Sequence, residues 1–186
     1  AFIAVMQLGT MAAVILYFRR DILQMIIAVF RDARQRLRGS WSQPAGPEAR
    51  LGWLIALGTL PVALIGYFFR HQIEGALTKS LLVIVASLVG LAALLWLAEK
   101  VARHVRGIHQ VHWVDALVIG FAQACALIPG ASRSGTTITA GLFLGLQRES
   151  AARFSFLLSI PAVFASGMFE LLKVAGMLRA GDDVFA

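Results

Sequence analysis

Of the 186 residues, 59% are hydrophobic and only 15% charged, with a mean hydropathy of +0.77. A soluble domain runs nearer half apolar and a quarter charged, so an ordinary water-borne globule is excluded; twelve Phe, four Trp and long aliphatic runs exclude a disordered chain. Seventeen Lys and Arg against ten Asp and Glu give +7, but in short bursts between apolar blocks, a pattern of membrane topology rather than the continuous basic face that nucleic acid needs.

The chain opens in mid-hydrophobic sequence at Ala1-Phe2-Ile3, without an initiating Met or a signal peptide, and reads as a piece of a longer protein. A spanning helix needs about 20 apolar residues at about 1.5 Å each. Residues 2–18 provide the first, apolar apart from Gln7 and Thr10 and closed by Arg19-Arg20. Residues 19–50 hold seven arginines against Asp21, Asp32 and Glu48, which predicts a cytoplasmic loop. Within it, 21–30 could extend the first helix along the interface, and Gly39 through Pro47 reads as an irregular connector. Residues 51–69 form a second span, with Pro61 a predicted kink, and 80–98 a third, closed by Glu99-Lys100.

The basic loop up to 115 carries His104, His109 and His112, whose spacing fits no defined metal motif. Two apolar stretches follow that are too short to cross: 116–128 would reach about 20 Å as a helix and 136–146 about 16 Å, against a hydrocarbon core of about 30 Å. Between them lies Pro129-Gly130-Ala131-Ser132-Arg133-Ser134-Gly135. Its free backbone groups would find no partners in lipid, which predicts a re-entrant hairpin over about 116–146. A fourth span, 154–174, contains Pro161, Glu170 and Lys173. With the hairpin returning to its starting side, every basic-rich loop lands in the cytoplasm. The single Cys125 excludes an intrachain disulfide and a cysteine metal cluster. The fold expected is an all-α, polytopic membrane helical bundle with a re-entrant helical hairpin, a single domain over 1–186.

The chemistry concentrates at the hairpin turn. An arginine flanked by hydroxyls and glycines between two apolar half-helices is costly unless an anion sits there. Arg133 offers a planar fork for phosphate oxygens. Gly130 and Gly135 would let the backbone approach a ligand, and the start of the second half-helix points unpaired N–H groups and its positive dipole end into the turn. Ser132, Ser134, Thr136 and Thr137 would hydrogen-bond around the anion. The alternative is an Arg133 paired with an acid elsewhere and hydroxyls that merely cap the helix. Gln7 and Gln123, polar residues in apolar segments, either line the site or tie helices together. Gly141 and Gly145 form a Gly-xxx-Gly pair that permits close helix approach. Glu170, near the outer end of its span, reads as an interfacial carboxylate.

The stretch from Gly120 to Thr137 resembles the second signature of the bacterial undecaprenyl-diphosphatase (bacitracin-resistance) family. Gln7-Leu8-Gly9-Thr10 and Phe154-Ser155-Phe156-Leu157-Leu158-Ser159-Ile160-Pro161 agree, and the resemblance spans nearly the whole chain. It implies a membrane phosphatase that converts undecaprenyl diphosphate to the monophosphate carrier used for peptidoglycan, with bacitracin resistance as a consequence. It implies an inverted-repeat fold, of which this chain is about one and a half halves, and an active site opening to the outer face of the bacterial cytoplasmic membrane. Ser132 and Arg133 match family residues that contact the diphosphate, as does Thr137. The implied partners are the polyprenyl diphosphate and membrane lipids, with a homodimer left as an option. The family's first signature, with the acidic residues thought to bind a divalent cation (Mg²⁺ or Ca²⁺) and a Ser-Thr-Gly-His turn, does not occur in these residues, and its expected place is upstream of Ala1. Residues 1–186 alone are therefore expected to be inactive. A transporter or flippase using the same phosphate site without hydrolysis is the alternative.

Overall fold

The structure is a computed structural model and describes residues 2–38, 45–69 and 80–180, with side chains for 13–38, 45–69 and 80–164. Six α-helices occur among the described residues: α1 (Phe2–Leu37), α2 (Pro47–Phe68), α3 (Leu81–Val101), α4 (Trp113–Cys125), α5 (Arg133–Phe143) and α6 (Arg148–Ala180). No strand is present among them. Two of the helices, α2 and α3, are long and apolar enough to cross a membrane. Only Ala98 of α3 is buried, and its Leu, Val and Trp side chains face outward. Such a helix would be insoluble as a surface element in water and is stable against lipid.

Several elements extend past the apolar stretches that announce them. Arg19-Arg20 do not end α1, so residues 19–37 of the expected cytoplasmic loop are helical, and α6 begins at Arg148, six residues before its apolar run. Hydropathy marks where a helix is apolar, whereas helix ends are set by caps and breakers. Pro47 starts α2, as a residue without a needed N–H can, and the helix continues through Pro61. Ion pairs accompany the extensions. Asp32 accepts from Arg36 Nε (2.7 Å) on its own helix and from Trp53 Nε1 (2.9 Å) on α2, while Asp21 meets Arg153 at 2.9 Å.

The core lies where α2, α4, α5 and α6 meet, with Phe154, Ile119, Leu142, Leu157 and Leu158 buried together. Its tightest contact is a crossing of backbones. A Cβ on Gly120 would lie 2.2 Å from the Gly58 carbonyl oxygen, and one on Gly58 would lie 2.8 Å from that of Ala116. Small residues at a helix crossing allow this approach, and no side chain intervenes between α2 and α4.

The helices α4 and α5 run antiparallel and make the hairpin, shifted about three residues toward the N-terminus of the stretches expected for it. Thirteen and eleven residues give lengths of about 20 and 16 Å, too short to cross a bilayer. The start of α4 and the end of α5 are held together by Arg106. It donates from Nη1 to Asp115 Oδ1 (3.1 Å) and the Leu144 carbonyl (2.8 Å), and from Nη2 to Asp115 Oδ2 (2.5 Å) and the Gln110 carbonyl (2.8 Å). Asp115 also accepts from the His112 N–H at 2.7 Å, closing the first turn of α4. Burial opposes the charge on Asp115, but the bonds from Arg106 and the His112 N–H outweigh it and hold the carboxyl below its ordinary range at the water-facing base of the hairpin. At the other end of α5, Gly145 adopts φ +80° and the Leu146 N–H returns to the Gly141 carbonyl (3.0 Å), a glycine-dependent stop. Gly145 therefore terminates the helix, and of the Gly-xxx-Gly pair only Gly141 packs closely on α6, 3.0 Å from Ala151 for a Cβ built there.

Candidate functional site

At the far end of the hairpin the chain turns through residues 126–132 and α5 begins at Arg133. Ser132 is its N-cap, with Oγ accepting from the Gly135 N–H at 3.3 Å, and the Thr136 N–H donates to the Ser132 carbonyl at 2.9 Å. The N–H groups of Arg133 and Ser134 have no acceptor among the described residues. First-turn donors of this kind, with the helix dipole behind them, attract an anion.

The side chain of Arg133 is half-buried, and among the described residues it meets no carboxylate and no carbonyl. Every printed acid pairing in the chain goes elsewhere: Asp21 to Arg153, Asp32 to Arg36, Glu99 to Arg148 and His104, Asp115 to Arg106. The alternative reading of Arg133 as half of an internal ion pair therefore has no support among the described residues. Ser132 and Ser134 face one another, Oγ to Oγ at 3.3 Å, on the accessible side of the turn.

The two threonines point the other way. Thr136 Oγ1 donates to the Arg133 carbonyl at 2.9 Å and Thr137 Oγ1 to the same oxygen at 2.8 Å. Thr137 is 1% exposed, and its hydroxyl also lies 2.5 Å from Ser155 Oγ on α6. A threonine inside a helix readily returns its hydroxyl to the carbonyl one turn back, so these groups are spent on the backbone of the turn.

The glycines serve a different neighbour from the one expected. Gly130 has φ +85°, and a Cβ there would lie 2.4 Å from Ser87 Oγ and 2.6 Å from the Ile84 carbonyl. A Cβ on Gly135 would lie 2.9 Å from Leu91 Cδ2. Their missing side chains make room for α3, and Ser87 fixes the seat by donating to the Pro129 carbonyl at 2.6 Å. Gln123 is 1% exposed in α4, with neither amide heteroatom hydrogen-bonded in the structure. The side chains of Gln7 and Glu170 lie outside those described.

The turn thus brings together the Arg133 guanidinium, two backbone N–H groups and the hydroxyls of Ser132 and Ser134. Ser87, Arg106 and Ser155 support the turn and went unnoticed as such in the sequence. A small polar residue inside an apolar run was the available signal for the two serines. The divalent cation implied by the resemblance does not fit these residues. No three His, Cys, Asp or Glu side chains stand together among the described residues, and no carboxylate reaches the turn.

Fold and site define a helical membrane protein with an anion-receptive turn inside a broken-helix hairpin. The chain belongs to the bacitracin resistance protein BacA family, whose pattern matches residues 1–185. It is 57% identical over 183 residues to an undecaprenyl-diphosphatase of Syntrophobacter fumaroxidans, covering 98% of this chain and 64% of that relative. Undecaprenyl-diphosphatases of Chlorobium phaeovibrioides and Myxococcus xanthus are 50% and 52% identical, over 97% and 92% of this chain and 64% and 56% of theirs. The chain spans less than two thirds of the length of these curated relatives.

Proposed function

We propose that the complete protein hydrolyses undecaprenyl diphosphate to undecaprenyl phosphate and inorganic phosphate, with the turn at Arg133 holding the diphosphate. The single observation that carries this reading is a half-buried guanidinium with no acceptor among the described residues, beside two unused N–H groups at a helix start. Water adds to the terminal phosphorus, the bridging P–O bond breaks, and its electron pair leaves on the lipid monophosphate. Arg133 holds the equatorial oxygens by its two-pronged fork, and the first-turn N–H groups of α5 stabilise the charge that develops on them.

Ser132 acts as a phosphate ligand rather than the nucleophile. Its Oγ engages Ser134 Oγ and the Gly135 N–H, and no imidazole or carboxylate among the described residues is hydrogen-bonded to it to take up a proton. The divalent cation, Mg²⁺ or Ca²⁺, belongs to this proposal for the complete protein only, with acidic ligands from outside the residues described, and no step above runs through it. The same reading puts the protein in the bacterial cytoplasmic membrane, the basic loops inside and the turn opening toward the outer face. Recycling of the carrier for peptidoglycan synthesis and resistance to bacitracin follow from that activity. The partners are the polyprenyl diphosphate and surrounding lipids. A homodimer is an option that the mass of the complete protein in detergent tests.

The deciding experiment is phosphate release from undecaprenyl diphosphate by the complete protein in detergent. Release that falls when Arg133 is replaced supports the proposal. Binding of the lipid without release overturns it in favour of a carrier.

A further inference from the structure

We propose that Ser155 is a positioning residue for Arg133, acting through Thr137; this rests on the hydrolytic reading above. The hydroxyl of Thr137 has one proton and three oxygens within reach: the Arg133 carbonyl at 2.8 Å, the Ser134 carbonyl at 3.2 Å and Ser155 Oγ at 2.5 Å. Inside a helix, a threonine hydroxyl takes the carbonyl four residues back, here the nearer of the two carbonyls. Its proton is committed to Arg133, so the bond between the two side chains is donated by Ser155. A relay of fixed direction results, from the Ser155 hydroxyl to Thr137 Oγ1 and on to the carbonyl of the residue that carries the charge.

Burial separates this relay from the substrate. Thr137 is 1% exposed and Ser155 2%, so neither hydroxyl meets a ligand, and water does not replace either partner. The geometry also places the relay where α5 most needs it. The other close approach of α5 to α6, Gly141 against Ala151, lies one turn further along α5, toward the base. Nearer the tip, the Thr137–Ser155 bond is the polar link from α6 to α5 among the described residues. With Thr136 donating to the same carbonyl, the backbone of Arg133 is held by two hydroxyls, and with it the direction in which its side chain leaves the helix. Thr137, a residue that the resemblance implies touches the diphosphate, thereby becomes a strut for the arginine.

A double-mutant cycle in the complete protein tests this, with phosphate release from undecaprenyl diphosphate and thermal unfolding as readouts. Ser155→Ala is expected to lower kcat about tenfold and to leave KM within about twofold, because the loss is of alignment rather than of a ligand contact. Thr137→Val is expected to cost at least as much, and the double variant to be no slower than Thr137→Val alone. Turnover of Ser155→Ala within about twofold of the parent, or losses that multiply in the double variant, overturns the role. Should Ser155→Ala not fold, Ser155→Cys, a near-isostere with a weaker donor, takes its place; kcat below the parent's supports the role and parental kcat overturns it. A parent that releases no phosphate overturns the hydrolytic reading and this role with it, whereas an active parent with an indifferent Ser155 variant overturns this role alone.

Discussion

Two arginines stand at opposite ends of one hairpin, and they differ in almost everything but chemistry. Arg106, at the base, has four acceptors within 3.1 Å, two of them on one carboxylate. Arg133, at the tip, has none among the described residues. A guanidinium saturated by the protein is a fastener, and nothing is left over for a ligand. A guanidinium withheld from water and from protein acceptors is a cost that folding alone does not explain, and it becomes intelligible when an anion completes it. The contrast separates a structural from a functional arginine within some thirty residues.

The largest effect should come from the tip. Arg133→Lys in the complete protein keeps the charge and loses the fork, and phosphate release from the lipid diphosphate is expected to fall by about a hundredfold, with the unfolding temperature in detergent unchanged. Full turnover in that variant would erase the distinction between the two arginines. The base should behave in the opposite way. Arg106→Ala leaves Asp115 buried without its counter-ion, and a destabilisation of about 3 kcal/mol is expected in detergent unfolding, with turnover per folded molecule retained.

The pH dependence of the base follows from Asp115. Its carboxyl is held below the ordinary value in the folded protein, so its contribution is complete above an unfolded-state pKa of about 3.9 and disappears as pH falls through the lower folded value. Asp115→Asn should remove that acid limb from the plot of stability against pH while leaving the limb of other carboxylates. The smallest effect belongs to the cap: Ser132→Ala is expected to cost about 1 kcal/mol in unfolding, through the bond from the Gly135 N–H. A loss there as large as that of Arg106→Ala would mean that the tip is a structural element after all.

The hairpin was legible because polar residues, a proline and two glycines interrupt apolar sequence where lipid would tolerate none of them. Its boundaries were less so. Asp115 counted against helix in the sequence, yet it sits in the first turn of α4 because Arg106 neutralises it. Arg133 and Ser134 counted as turn because they are polar, yet they are the first two residues of α5, where an N-terminal turn accommodates them. The extension of α1 beyond Arg19-Arg20 was hidden for the same reason, since a charge pair marks a membrane edge and not a helix end. The inward direction of Thr136 and Thr137 and the use of Gly130 and Gly135 against α3 depend on neighbours far away in sequence. Spacing in one chain carries no record of Leu91, Ser87 or Ser155 lying beside them.

The meeting of Gly58 and Gly120 has a geometric corollary. Where one helix backbone rests directly on another, there is no rotamer to adjust and no methyl group to yield, so α4 is pinned against α2 at a fixed height. Everything beyond that pivot is a ruler of set length, counted in residues from Gly120 to Arg133. Inserting or deleting a residue between them would raise or lower the guanidinium along the membrane normal without loosening the fold, and depth itself becomes a quantity that the sequence encodes.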